Sequence, residues 1–333
     1  MKSPFTGIEM KLIKEKEILP YRKDEFEIVY HSFECDQTKE RFTNDDLDLI
    51  NINQVHNLYR EKYGIPFPEE IKAIREKYEV SAKKMSEILG LGSNAYRLYE
   101  SGEMPTVSNG RLILSIKEPE EFKKQIELSA HLLKETETLK LLKNVDKLIE
   151  EDRDIWKKIM NVQCAYRTID DHSGFKMLDF NKIGQVLSFF SKCEIDLYKT
   201  KVNKLLFYSD FLNFQRLGNS MLGITYRAIP FGPVPAEYEK IYRRLYDDFV
   251  IDVEQKQIDH NYTELFKPFV SFNPDLFQAN ELKVLEDVAE KFKEKNTVEI
   301  VKISHLEKAW IENESSRNLI SYKKYAFDLK AFE

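Results

Sequence analysis

Apolar positions change their spacing along the chain. Over residues 9–19 and 24–35, Ile, Leu, Val, Tyr and Phe partly alternate with polar residues, the period of a strand, and residues 20–24 supply a turn. A small β unit is therefore predicted to about residue 42. From Thr43 or Asn44 the spacing becomes helical, through Leu47, Ile50, Val55, Leu58 and Tyr59. Asp45 and Asp46 suit the positive end of that helix, and Gly64 closes it.

Pro66 and Pro68 precede a run of short helices over about 69–116. Glu118-Pro119-Glu120-Glu121 opens a further stretch in which Leu128, Leu132, Leu139, Leu142, Val145 and Ile149 keep helical spacing. It reads as one or two amphipathic connecting helices, serving a dimer or packed on their own domain. Asp170-Asp171-His172-Ser173-Gly174 is a loop rather than a metal cluster, because adjacent side chains rarely converge on one ion. Helices follow over 180–194, with Ile183, Val186, Leu187 and Phe190 inward, and over 197–217, with Val202, Leu205, Leu206 and Leu212 inward. An apolar stretch at 222–229 meets Pro230-Phe231-Gly232-Pro233-Val234-Pro235, and Pro235 suits the first position of a helix carrying Tyr238, Ile241, Tyr242 and Leu245. Further helices are predicted at 280–295 and 297–312. The fold class is mainly α, in four parts: 1–65, 66–125, 126–164 and 165–333.

Composition narrows the function classes. The chain has 333 residues, 42% of them hydrophobic, which is enough for real cores. A net charge of −6 excludes a wholly basic nucleic-acid coat, though not one local DNA-binding module. Cys35, Cys164 and Cys193 have no close spacing, which argues against a disulfide scaffold and fits a reducing cytoplasm. Met1-Lys2-Ser3-Pro4 opens no signal-peptide pattern and no run is apolar enough for a membrane span, so a cytoplasmic protein is expected. Gly-x-Ser-x-Gly, His-Glu-x-x-His and Gly-x-x-x-x-Gly-Lys are absent and the six histidines are scattered. Neither an enzyme nor a cofactor is expected.

Residues 68–106 carry the strongest single pattern. Ser81 can cap a helix that turns Met85, Ile88 and Leu89 inward, Gly90-Leu91-Gly92 makes a tight turn, and a second helix begins near Gly92 or Ser93. With Tyr96 and Tyr99 on the core side, Ser93, Asn94, Arg97 and Leu98 face outward. Asn reads adenine and Arg reads guanine in the major groove, while Lys83 and Lys84 stand where phosphates pass. Arg75, Ser81, Met85, Leu89-Gly90-Leu91, Tyr96, Glu100-Ser101-Gly102 and Pro105 resemble the xenobiotic-response-element family of helix-turn-helix domains. The resemblance implies a five-helix DNA-binding domain with Lys83, Lys84, Ser93, Asn94 and Arg97 on operator DNA. Ala82 departs from it, standing where many members carry a base-contacting Gln.

Ser3-Pro4-Phe5-Thr6-Gly7 and Cys35-Asp36-Gln37-Thr38 resemble the amino-terminal zinc ribbon of MqsA-type antitoxins, with one of four ligand positions still cysteine. Neutral hydroxyls are poor zinc ligands, so no metal is expected there. Lys204-Leu205-Leu206-Phe207-Tyr208, Phe231-Gly232-Pro233-Val234, Glu237-Tyr238 and Ser304-His305 with Trp310 resemble the Panacea domain over about 180–325. That resemblance implies a mostly helical domain and an antitoxin that neutralises a co-encoded toxin by direct binding, with self-repression of the operon through the helix-turn-helix. The toxin-contact candidates are Lys204, Tyr208, Tyr226, Phe231, Gly232, Pro233 and Tyr238. The expected partners are the cognate toxin, operator DNA and a second copy of the chain or a toxin–antitoxin hetero-oligomer, with no membrane. The other reading is a DNA-binding transcription regulator whose C-terminal domain senses a ligand or adapts a client to a protease. His305 and Trp310 read either as a binding surface or as a core Trp with a hydrogen-bonded His, and Lys204 as a partner contact or a plain surface lysine.

Overall fold

A two-residue turn at Arg22 and Lys23 folds strand β1 (Lys11–Tyr21) back onto β2 (Asp24–Glu34), pairing Tyr21 with Asp24 and Leu12 with Phe33. Strand β3 (Arg41–Phe42) covers only the last two residues of β2. The rest of that edge needs other partners, because buried backbone groups left unpaired are costly. Helix α1 (Asp45–Tyr63) provides them with side-chain amides. The Asn51 amide accepts from the His31 N–H at 2.8 Å and donates to the His31 carbonyl at 3.0 Å. Gln54 does the same for Val29, at 3.0 and 2.8 Å. Two amides thus stand in for a third long strand.

The computed structural model describes residues 1–152, 169–258 and 261–333. Helices predominate, and the sheets among the described residues have two or three strands. The chain forms two compact units, one joining Met1–Val55 to Thr168–Glu333 and the other spanning His56–Arg167. The four-part division read from the sequence does not anticipate the discontinuous unit. Residue 164, the end of the expected connector, lies outside the described residues.

The discontinuous unit is built around helix α9, the central helix (Lys199–Leu217), which follows helix α8 (Phe180–Lys192). Every α9 residue from Lys201 to Phe214 is buried, polar ones included. Strands β4 (Tyr226–Ile229) and β5 (Gly232–Pro235) form a hairpin against it. Pro235 ends β5 and does not open a helix: α10 (Tyr238–Asp247) starts three residues later. A proline lacks the N–H a central strand would use, so a strand end tolerates it. A second hairpin, β6 (Ile251–Ile258) and β7 (Asn261–Pro268), lies where the sequence reading contained no strand. Helices α11 (Ala279–Phe292), α12 (Thr297–Ser304), α13 (Lys308–Ile311) and α14 (Tyr322–Tyr325) complete the unit.

The N-terminal hairpin and helix α1 are fastened to this part at several points. Asn53 Nδ2 donates to the Leu217 carbonyl at 2.8 Å, and Lys14 Nζ to the Phe327 carbonyl at 3.1 Å. The His31 ring packs on Phe327 with centroids 4.9 Å apart.

In the other unit Pro68 opens helix α2 (Pro68–Lys77), followed by α3 (Ala82–Ile88), α4 (Ala95–Glu100), α5 (Val107–Ser115), α6 (Pro119–Leu128) and α7 (Glu135–Asp152). Ile71, Met85, Ile88, Tyr96, Ile113, Phe122 and Val145 share one core. Because Leu141, Val145 and Ile149 join it, α7 packs on its own unit. Leu128, Leu132 and Leu139 remain exposed.

Candidate functional site

Strands β4 and β5 are joined by Pro230 and Phe231, with Ile229 paired to Gly232. Three side chains from helical segments seize the backbone around this turn. Trp310 Nε1 donates to the Ile229 carbonyl at 2.7 Å. The His305 ring hydrogen-bonds the backbone of Pro230, which has only a carbonyl to offer. Lys204 Nζ donates to the Pro233 carbonyl at 2.9 Å. Gly232 has φ +94°, and a Cβ there would stand 2.4 Å from Ser304 Oγ and 2.7 Å from Lys204 Cε. Only glycine lets the turn sit this close to α9 and the end of α12. Phe231 itself is 68% exposed on this clamped turn.

The seven toxin-contact candidates divide sharply. Lys204, Tyr208 and Tyr226 are wholly buried, and Gly232 and Pro233 are buried beneath the turn. The surface-lysine reading of Lys204 is therefore corrected: its ammonium lies inside the fold, where loss of hydration pushes its pKa down to about 7. Tyr208 donates to Glu307 Oε1 at 3.2 Å and stacks on Phe292 at 4.7 Å. Tyr226 donates to Asp210 Oδ2 at 3.0 Å, while Asp210 Oδ1 accepts from the Met221 and Leu222 N–H groups. Complete burial pushes the Asp210 carboxyl up to about 7. These buried groups hold the interior together and reach no surface. Tyr238 is half-buried, with the Lys199 ammonium 5.2 Å from its ring centroid. Phe231 alone presents a largely exposed ring.

Sequence reasoning missed the joint action of His305 and Trp310. Their rings stack at 3.9 Å, 11° from parallel, and both are partly exposed. They are neither simply core nor simply surface. The spacing Ser304-His305 with Trp310 was the available signal, but only the hairpin shows what they bind.

A second candidate surface lies on α3 and α4. The Ser81 hydroxyl accepts from the Lys84 N–H, capping α3 at 3.2 Å, and Gly90 takes φ +65° after it. Tyr96 is buried and donates to the Ile71 carbonyl at 2.8 Å, while Arg75 grips Glu100 with two nitrogens at 2.5 and 3.3 Å. This fixes the outward face: Lys83, Ser93, Asn94 and Arg97 are exposed, and Leu98 with them. Lys84 is engaged elsewhere, 2.7 Å from Glu87 and 3.2 Å from Glu137. Its charge is largely answered within the fold.

The two N-terminal loops do converge. Thr6 Oγ1 is 3.4 Å from Cys35 Sγ, and Ser3 Oγ accepts from the Phe5 and Thr6 N–H groups. Hydrogen bonds from the Thr6 hydroxyl, then from Thr38, pull the Cys35 thiol down to about 6. One thiolate and three hydroxyls do not fit a zinc shell, and Ser3 Oγ is already occupied by backbone donors. Asp170 caps the N–H groups of His172 and Ser173, and Asp171 accepts from the Lys323 N–H.

Residues 202–311 match the family described as antitoxin SocA-like, Panacea domain. This stretch contains α9, the clamped hairpin and the His305–Trp310 pair. No curated protein and no solved structure matches the chain. Among the described residues no helix is long and apolar enough to cross a membrane.

Proposed function

We propose that this chain is an antitoxin that neutralises a co-encoded toxin by direct protein contact and represses their shared operon. The observation that carries the reading is the antitoxin SocA-like Panacea match at residues 202–311. The hairpin within it supports toxin contact physically. An aromatic ring on a turn held by Lys204, His305 and Trp310 loses little freedom on binding, so more of its burial energy appears as affinity.

Operon repression rests on α3 and α4, read as a helix-turn-helix. Asn94 and Arg97 offer the chemistry for base edges, and Lys83 for a phosphate; Lys84, bound to two carboxylates, is the weakest of the proposed contacts. A dimer would double these contacts on a palindromic operator. No catalytic step and no cofactor enters this proposal.

The test is co-expression with the adjacent gene. Growth arrest by that gene alone, rescue by this chain and co-purification of the two products are the expected results. A neighbour that is harmless alone, or that is never bound, sinks the antitoxin reading.

A further inference from the structure

The turn does not expose Phe231 in isolation. Leu306 and Ile311 directly follow His305 and Trp310 in sequence, and they are 60% and 54% exposed. His305 and Trp310 are bonded to Pro230 and Ile229, so Leu306 and Ile311 belong to the segment that clamps the turn carrying Phe231. Single exposed apolar side chains are ordinary, but three around one rigid motif mark a surface built to be covered.

Beside this patch stand cations without ion pairs among the described residues. Arg227, on β4, gives Nη1 to the Arg317 carbonyl at 2.8 Å and forms no ion pair among the described residues. Arg317 and Lys302 are exposed and likewise have no ion-pair partner among the described residues. Lys302 lies four residues before Leu306, on the same side of the end of α12. Glu314 is the carboxylate that acts on His305 from this side. By contrast, neighbouring Lys308 and Lys324 are already paired, with Asp328 and Glu312. A chain of net charge −6 thus gathers unpaired cations beside its apolar patch.

We propose that Phe231, Leu306 and Ile311 form one docking patch, and that its occupant is the toxin, through an apolar protrusion edged with carboxylates. The inference rests on the antitoxin reading above and adds the place and chemistry of the contact. The apolar centre supplies affinity, and the cationic edge supplies orientation and a fast, salt-sensitive encounter. A second copy pairing through the same patch is a less fitting occupant, because an isologous contact would set these cations against their own copies.

The experiment titrates the full chain with the purified adjacent-gene product that growth rescue identifies as the toxin. Wild type is compared with F231S and the double variant K302E/R317E, at two salt concentrations. Each variant is expected to bind about tenfold more weakly or worse, with the charge variant losing most of its salt dependence. Unchanged thermal melts, expected for exposed positions, establish that folding is intact. If wild type and variants bind equally, the patch is wrong while the antitoxin reading stands. Tighter binding by K302E/R317E overturns the acidic partner chemistry. If light scattering shows the wild-type chain pairing with itself and F231S abolishing it, the occupant is a second copy. If the neighbouring product binds no version of the chain, the inference and the antitoxin reading fall together.

Discussion

His305 lies flat on Trp310, 11° from parallel, and the two rings hydrogen-bond neighbouring residues of one turn, Pro230 and Ile229. The stack keeps each ring from rotating out of its hydrogen bond. It therefore acts as a single clamp, and its parts can be removed separately.

Trp310→Phe keeps an aromatic face for His305 but removes the donor to Ile229. The orphaned carbonyl should cost about 1 kcal/mol, the low end for a group that is not fully buried. Denaturant melts would measure this. Toxin binding should fall further than stability alone explains, because the turn loses its preorganisation. Equal losses in both would show that Trp310 merely stabilises the fold.

Stability should depend on pH through Lys204 and Asp210 with opposite signs. Lys204 drops from its ordinary 10.5 to about 7 in the folded chain, so the unfolded chain binds more protons between those values. Its contribution is full above the ordinary value and is lost as pH falls through about 7. Asp210 rises from 3.8 to about 7, so its contribution is full below about 4 and lost as pH climbs to about 7. Lys204→Met should therefore flatten the rise in stability between about pH 7 and pH 9.5, a window below the tyrosine titrations. Parallel wild-type and variant curves across that window would show that Lys204 stays charged.

Arg97→Ala and Asn94→Ala should each weaken operator binding by about 1–3 kcal/mol, the value of a good base contact, and leave toxin neutralisation intact. Lys84→Ala should do much less, since Glu87 and Glu137 already hold its ammonium. Fluorescence anisotropy on the chain's own promoter measures all three. Wild-type affinity in both the Arg97 and Asn94 variants would remove this face from DNA reading.

A fragment comprising residues 168–333 should melt at lower temperature than the same unit in the full chain. Without the N-terminal segment, Phe327 loses the His31 ring and Leu217 loses the Asn53 amide. Adding residues 1–55 in trans should restore part of the difference. Identical melts would mean that residues 1–55 contribute nothing to the stability of the C-terminal part.

Much of the helical unit was legible because its signals are local. Ser81 as a cap, Pro68 at a helix start and inward Met85, Ile88 and Tyr96 depend on neighbours within a few residues. The β1–β2 hairpin was equally plain from its alternation and turn. Helix α9 was legible as a helix with Val202, Leu205, Leu206 and Leu212 inward, but its burial on all sides was not, because its polar residues have distant partners. Lys204 answers Pro233, Tyr208 answers Glu307, and Asp210 answers Tyr226. Nothing within a helical turn of Lys204 distinguishes it from a surface lysine. Strands β6 and β7 were hidden by their charged, half-exposed faces, which obscure the two-residue period. Phe231 was readable as an exposed ring, whereas its clamp was not, since His305 and Trp310 lie more than seventy residues along the chain.

The fastening of the first hairpin and helix α1 also sets an order of events during synthesis. Its partners come late: Leu217 lies 164 residues beyond Asn53, and Phe327 lies 313 residues beyond Lys14. Residues 1–55 leave the ribosome first, yet they must wait for the whole helical unit and most of the C-terminal helices before closing those contacts. Contacts of such long range form slowly, and an unfinished chain exposes the surfaces they will cover. If the proposed antitoxin function holds, that delay makes the freshly made chain the vulnerable one. Proteases and chaperones that meet it early would therefore govern how much of the folded chain accumulates.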